Sequence, residues 1–319
     1  MACEFEVCLP AAIADDASGA AMEALDLVNR LEGELSYFRE QSIVSEINRR
    51  ASKEAVEVEP EMFSLLCLAL EVSRDTLGAY DISASPLWEA WGFARREGAI
   101  PDEANMAAAL ARVGSQFIEL DAARHTIRFL KPGMSINLGS IGKGYAVDRC
   151  GRHLLDAGVS HFLVHGGYSS VFAAGNRFGL SNPDDSTSGW SVGLRHPLTN
   201  EEGFDEVVLH DRALGTTGSQ FQSFRHLGHR YGHVIDPRTG WPAEGVLSAT
   251  VLAPTAALAD ALSTAFFVLG PEAAEAYCSA HAGIAGILSC PAAGGSCEVH
   301  RMGRAAPDVT VPPAQGPGP

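Results

Sequence analysis

The chain has 319 residues, 46% hydrophobic and 19% charged, with a formal net charge of −16. That balance is globular rather than disordered, and the length is enough to bury a core as one large domain or two lobes. The acidic surplus excludes a broad nucleic-acid surface, which needs clustered Lys and Arg to displace counterions; a small anionic ligand stays compatible, with a metal ion as mediator for a polyanion.

The opening MACEFEVCLP alternates like a first strand and lacks the basic start and long apolar region of a signal peptide. Read as given, the chain is cytoplasmic, or extracytoplasmic if a further N-terminal segment precedes it. No run approaches ~18 uninterrupted apolar residues, so no membrane span is expected. Helical spacing covers 16–33, with Gly33 as a stop, and LSYFREQSIVSEINRR is a short loop entering a helix. Residues 60–77 form another amphipathic helix ended by Gly78. GAYDISASPLWEAWGF (78–93) begins as a turn and strand and continues as an aromatic-rich segment, and 102–113 are helical.

From 116 the idiom changes to strands. FIELDAARHTIRFL reads as a hairpin about a polar turn. A glycine loop follows, then helix 143–157 and strands in HFLVHGG, SVFAAG, WSVGLRHP and EVVLHDRALGTTG. HRYGHVIDPRTGWP is a hairpin-like turn segment, and SATVLAP is a strand whose Pro254-Thr255 start an apolar helix, 256–268. Residues 271–282 are helical, GIAGILS is the last strand, and the Pro/Gly-rich end, 304–319, is a solvated tail. The pattern is a mixed α/β (α+β) fold, helix-rich over about 10–115 and sheet-rich over about 116–303, as a single domain.

Seven scattered cysteines without a C-x-x-C fit reduced thiols better than a disulfide framework or a zinc site. The loop GMSINLGSIGKGYAVDR (133–149) can aim backbone N–H groups at an anion. It matches neither the P-loop nor the dinucleotide fingerprint, since Lys143 is followed by Gly144 and the glycines run G-x-x-G-x-G. By itself, a plain strand–turn–helix connection accounts for it better. In ALADALSTAFF, Asp260 and Thr264 share one helix face one turn apart, among apolar neighbours. An ionised Asp there needs a partner: a hard cation such as Mg²⁺, or else a helix cap or a buried Arg. His233, before the turn Asp236-Pro237-Arg238-Thr239-Gly240, is a general base or a satisfied structural histidine. Trp88 and Trp91 fit a core helix face better than a ring-stacking platform. No G-x-S-x-G elbow supports a hydrolase triad.

Taken in order, MACEFEV, LSYFREQSIVSEIN, GAYDISASPLWEAWGF, INLGSIGKGYAVD, LVHGGYSS, WSVGLRHP, TTGSQF, HVIDPRTGWP and APTAALADALSTAFFVLG resemble the ApbE-type FAD:protein FMN transferases, from Met1 to about Gly270. The resemblance implies a two-lobed fold with a flavin cleft between the lobes. It implies transfer of FMN from FAD to a Thr or Ser hydroxyl of an acceptor protein, with Mg²⁺ and release of AMP. A non-catalytic FAD-binding protein and an FAD pyrophosphatase giving FMN and AMP are the alternatives. Carried over by position, the resemblance makes Asp260, Thr264 and Ser140 (or its neighbour) metal ligands. It brings Met1, Phe38, Ala79, Tyr80, Asp81, Asn137, Lys143 and Val234 to the FAD, and gives His233 the base's role with Lys143 as a second positive charge. The chain departs from the family pattern at Asn137 and Ser140 (for Asp and Gly), at Gly142 (for Ala), at Tyr168 (for the Asp of Gly-Gly-Asp) and at Phe38 (for Tyr). It departs also in Thr216-Thr217-Gly218-Ser219-Gln220-Phe221, where the family has Thr-Ser-Gly-Asp-Tyr.

Overall fold

The computed structural model describes residues 3–178, 189–199, 205–218 and 222–303. Met1, Ser219, Gln220, Phe221 and the 304–319 end lie outside the described residues. The chain runs β1 (Phe5–Cys8), α1 (Ala14–Leu35), α2 (Ile43–Arg50), β2 (Val56–Glu57), α3 (Pro60–Asp75), α4 (Ser85–Ala90) and α5 (Glu103–Leu110). It continues with β3 (Ile118–Asp121), β4 (Thr126–Phe129), α6 (Gly142–Asp156), β5 (Phe162–Gly166), β6 (Ser170–Ala174), β7 (Trp190–Leu194), β8 (Asp205–Leu209) and β9 (Arg212–Gly218). The remainder is β10 (Ser223–His226), β11 (His229–Gly232), β12 (Ser248–Ala253), α7 (Ala256–Leu269), α8 (Pro271–Ala280), β13 (Ala285–Pro291) and β14 (Cys297–Met302). Among the described residues no helix is long and apolar enough to cross a membrane.

Seven strands form one antiparallel sheet in the order β1-β5-β6-β9-β12-β13-β14. Strand alternation divides its faces. On β5, Phe162 and Val164 enter the main core with the helices, whereas Leu163 joins Val171, Leu214 and Leu252 on the opposite face, beneath Trp190 and Val207 of the β7–β8 ribbon. A three-stranded sheet, β2-β4-β3, packs with α3, and a third apolar cluster gathers Leu87, Trp91, Phe93, Met106 and Ile235 around α4 and α5.

Helix α7 is the keystone. It is apolar nearly all round, and its buried residues include Leu262 and Phe266, both 0% exposed; such a helix belongs inside a core. Burying each of these side chains contributes roughly 1.5–3 kcal/mol. Its small residues let neighbours press on its backbone. A Cβ on Gly144 of α6 would meet Ala256 O at 2.1 Å, and one on Gly215 of β9 would meet Ala259 C at 2.5 Å. Thr255 caps the helix, accepting from Leu258 N. Asp148 of α6 accepts from Ala256 N at 2.7 Å and Ala257 N at 2.9 Å, so the first turn is bound to the loop helix.

Two expectations need correction. No strand forms at 78–84, because Asp81 Oδ1 accepts from Ser83 N at 2.7 Å and closes an Asx-type turn. The stretch GIAGILS is not the last strand: β14 follows and pairs with β13 from Gly286↔Met302 to Pro291↔Cys297. The Gly and Ser residues ahead of CEVHRM hid a half-exposed edge strand. Trp91, as expected, is core, 0% exposed and donating from Nε1 to Gly240 O at 2.8 Å.

Candidate active site

A cleft of about 640 Å³ opens where the glycine loop, α7, the end of β9 and the 78–88 segment meet. Each sequence-selected residue within the described chain lines it: Phe38, Ala79, Tyr80, Asp81, Asn137, Ser140, Lys143, His233, Val234, Asp260 and Thr264. Met1 lies outside the described residues; nearby Cys3 reaches the cleft.

Asp260 is 5% exposed and anchors the polar end. Ser170 Oγ donates to its Oδ1 at 2.7 Å, Gly144 N donates to its Oδ2 at 2.8 Å, and Lys143 Nζ stands 4.0 Å from Oδ2. Burial pushes its pKa up, and Lys143, Ser170 and Gly144 pull it back down. Hydroxyl groups cluster beside it on α7 and β9. Thr217 Oγ1 lies 2.8 Å from Ser263 Oγ and 3.3 Å from Thr264 Oγ1, while the Ser263 and Thr264 hydroxyls donate to Asp260 O. A buried carboxylate beside hydroxyls is a donor set that fits a hard cation such as Mg²⁺; Cys3 and His233 line the same cleft. The alternative of a helix cap or a buried Arg holds in part: Asp260 does not cap its own helix, but it accepts the Gly144 N–H in the first turn of α6, and the basic side chain beside it is Lys143 rather than an Arg.

His233 faces the same cleft. Its Nδ1 lies 3.1 Å from Gln222 O. A carbonyl only accepts, so Nδ1 carries the proton and Nε2 keeps the lone pair. Burial lowers the His233 pKa, and Lys143 lowers it further, against the Gln222 carbonyl's upward pull. The imidazole is therefore a neutral base at pH 7. The neighbouring Asp236 and Arg238 are consumed by each other, with Nε–Oδ1 and Nη2–Oδ2 both at 2.8 Å; they hold the turn that presents His233.

Other members of the set serve through backbone or shape. Asp81 accepts from Ser83 N and Oγ and from Ser115 N at 2.8 Å and Oγ at 3.0 Å, so its carboxylate is already committed and it braces the wall. Asn137 Oδ1 accepts from Gly139 N at 2.8 Å and shapes the loop. The Ser140 hydroxyl donates to Tyr80 OH at 3.4 Å. Phe38 is 67% exposed and leans on Trp88, ring centroids 6.1 Å apart, at the cleft mouth. Sequence reasoning missed Ser170 and Asp148. Asp148 left one signal, standing four residues after Gly144 on the same face of α6; Ser170 left none, because only the β6–β9 pairing carries it under α7.

The sequence profile of the ApbE family matches residues 1–288. The chain belongs to the ApbE family. A relative named FAD:protein FMN transferase, from Klebsiella pneumoniae (strain 342), is 32% identical over 272 residues, which is 82% of this chain and 75% of the relative. One of the same name from Treponema pallidum (strain Nichols) is 32% identical over 267 residues, 81% and 74% of the two chains. The crystal structure of the ApbE protein from Thermotoga maritima superposes with a TM-score of 0.78 at 30% identity, covering 89% of each chain. The apo flavinyl transferase ApbE from Pseudomonas stutzeri gives 0.79 at 25% identity, covering 94% of each.

Within this ApbE-family fold, the departures Phe38, Asn137, Ser140 and Thr217 line the cleft. Tyr168, at φ +59° and 63% exposed, lies between the lining residues Gly167 and Ser169 and stacks on His165, centroids 4.9 Å apart. Gly142 has only Leu35 Cδ1 near its missing Cβ, at 3.7 Å, so the family's alanine would fit there.

Proposed function

We propose that this chain is a Mg²⁺-dependent FAD:protein FMN transferase, moving FMN from FAD onto a Thr or Ser hydroxyl of an acceptor protein with release of AMP. The observation that carries the reading is the pairing, in one cleft, of the buried Asp260 held by Ser170, Gly144 and Lys143 with a neutral His233. The names of the curated relatives support it. FAD in this cleft would meet Phe38 and Trp88 at the mouth, and Ala79, Tyr80, Asn137 and Val234 along the walls.

Asp260, Thr264 and Ser140 are the protein oxygens that would hold the metal. Bound there, Mg²⁺ supplies Lewis-acid neutralisation of the pyrophosphate oxygens. Lys143 adds the chain's own positive charge, and Gly144 fixes where that charge sits by locking α6 against α7. Nε2 of His233 takes the proton of the acceptor hydroxyl. As that proton leaves, the hydroxyl oxygen bonds to the FMN phosphorus. The bond from that phosphorus to the bridging oxygen breaks, and AMP departs with the electron pair. In an acidic protein, the metal and Lys143 together make the anionic substrate tolerable.

The test is to incubate purified protein with FAD and Mg²⁺, with and without EDTA and with and without an acceptor bearing Thr in a small-residue context, and to follow AMP, FMN and covalent flavin. Metal-dependent AMP release with flavin on the acceptor supports the transferase. AMP and free FMN in equal amounts without acceptor would instead make it a pyrophosphatase. Tight FAD binding with no AMP under any condition would make it a binding protein, with Asn137 and Tyr168 as the departures that retired the enzyme.

A further inference from the structure

The antiparallel pairing of β1 with β5 sets Glu6 opposite His165 and Cys8 opposite Leu163. Period-2 alternation puts Glu6, Cys8 and His165 on one face, the one away from α7. Their ligand atoms all lie within 4.8 Å of one another. No hydrogen bond accounts for this convergence. His165 is 9% exposed, its Nδ1 is buried without a hydrogen-bond partner among the described residues, and its Nε2 stands 3.4 Å from Glu6 Oε2. That separation is beyond ordinary N–H···O range. A buried imidazole with neither nitrogen well satisfied calls for an explanation. The ring is held in place by Tyr168, stacked on it at 4.9 Å, with the Arg195 guanidinium 5.4 Å from the Tyr168 ring.

We infer that Glu6, Cys8 and His165 form a binding site for a borderline transition metal, Zn²⁺ first, distinct from the oxygen-lined site at Asp260. A thiolate, an imidazole and a carboxylate are the donors that select zinc over magnesium. Tetrahedral bonds of about 2.0–2.3 Å put ligand atoms roughly 3.5 Å apart. The Glu6 side chain, 48% exposed, is able to swing that distance, and Cys8 and His165 form the fixed part. Three protein ligands leave one position for water. The metal would join the edge strand β1 to β5, and β1 leads back to Cys3 in the cleft wall. Sequence spacing argues against zinc because the ligands are 157 residues apart between Cys8 and His165 (165 − 8); only strand pairing brings them together.

Anaerobic titration of the full chain with Co²⁺ as probe, followed by competition with Zn²⁺, tests the site. One equivalent of Co²⁺ should bind with thiolate-to-cobalt charge-transfer absorption, be displaced by Zn²⁺, and be insensitive to excess Mg²⁺. Cys8→Ser should abolish the charge-transfer band, and His165→Gln or Glu6→Gln should weaken binding by about tenfold or more. Cys297→Ser and Asp260→Asn should leave the band unchanged. Each variant is checked for a native far-ultraviolet circular dichroism spectrum, so the remaining ligand variants decide if one fails to fold. Absence of any thiolate–cobalt absorption in the native chain, or its persistence in Cys8→Ser, would overturn the inference.

Discussion

Replacing Gly144 by alanine probes how α7, the helix that carries Asp260, is positioned without touching the side chain of any proposed reacting group. The new Cβ would lie 2.1 Å from Ala256 O, 2.3 Å from Ala256 C and 2.7 Å from Ala257 N, all backbone atoms that cannot rotate away. Relieving the first contact to 3.0 Å alone moves α6 and α7 apart by about 0.9 Å (3.0 − 2.1). The same shift lengthens the 2.8 Å bond from Gly144 N to Asp260 Oδ2 and the approach of Lys143. Overpacking of this kind costs about 1–3 kcal/mol, and an ångström of misplacement in a catalytic constellation costs on the order of 100-fold in rate. Gly142→Ala is the matched control. Its Cβ meets only Leu35 Cδ1 at 3.7 Å, so it should leave turnover unchanged and stability equal or up to about 1 kcal/mol higher. AMP release and urea unfolding, measured on both variants, read the two effects. A Gly144→Ala protein with native rate and native stability would refute the reasoning.

Ser170→Ala removes the hydroxyl that donates to Asp260 but leaves Gly144 and Lys143; the Mg²⁺ concentration giving half-maximal AMP release should rise about 10-fold or more. Asp148→Ala leaves the N–H groups of Ala256 and Ala257 unpaired inside the protein, and urea unfolding should show a loss on the order of 2 kcal/mol together with reduced turnover. For His233 the folded pKa is below the ordinary 6.5, so between that lowered value and 6.5 the unfolded chain binds more protons than the folded one. Stability should therefore decline as pH falls below 6.5, and AMP release should lose its base only below 6.5, at the lowered pKa; an acid limb of the rate profile centred at or above 6.5 would speak against His233 as the base.

The site is legible in sequence where it rests on local periodicity. Asp260 and Thr264 stand out because a 3.6-residue repeat puts them on one face of an otherwise apolar helix, where a lone carboxylate demands a partner. Lys143 and Gly144 stand out as a loop entering a helix, and His233 as the residue before an Asp-Pro turn. What holds Asp260 is invisible for the opposite reason. Ser170 reaches it only because β6 pairs with β9 from Ser170↔Gly215, and Gly215 lets α7 lie directly on that strand. The segment around Asp81 misleads because apolar alternation is overridden there by Asp81 closing its own turn, and β14 is missed because its half-exposed residues carry no strong apolar period. Which family the chain belongs to is legible from ordered motifs; how closely α6, β9 and α7 approach is a property of glycines meeting backbone across the fold.

The most direct measurement is AMP release from FAD as a function of Mg²⁺ for the native chain and for Asp260→Asn, a change that keeps the side chain's shape and removes its charge. The account predicts turnover that EDTA abolishes and Mg²⁺ restores in the native chain, and a fall of about 100-fold or more in the variant. Turnover that persists in EDTA, or a variant as active as the native chain at equal Mg²⁺, would contradict it.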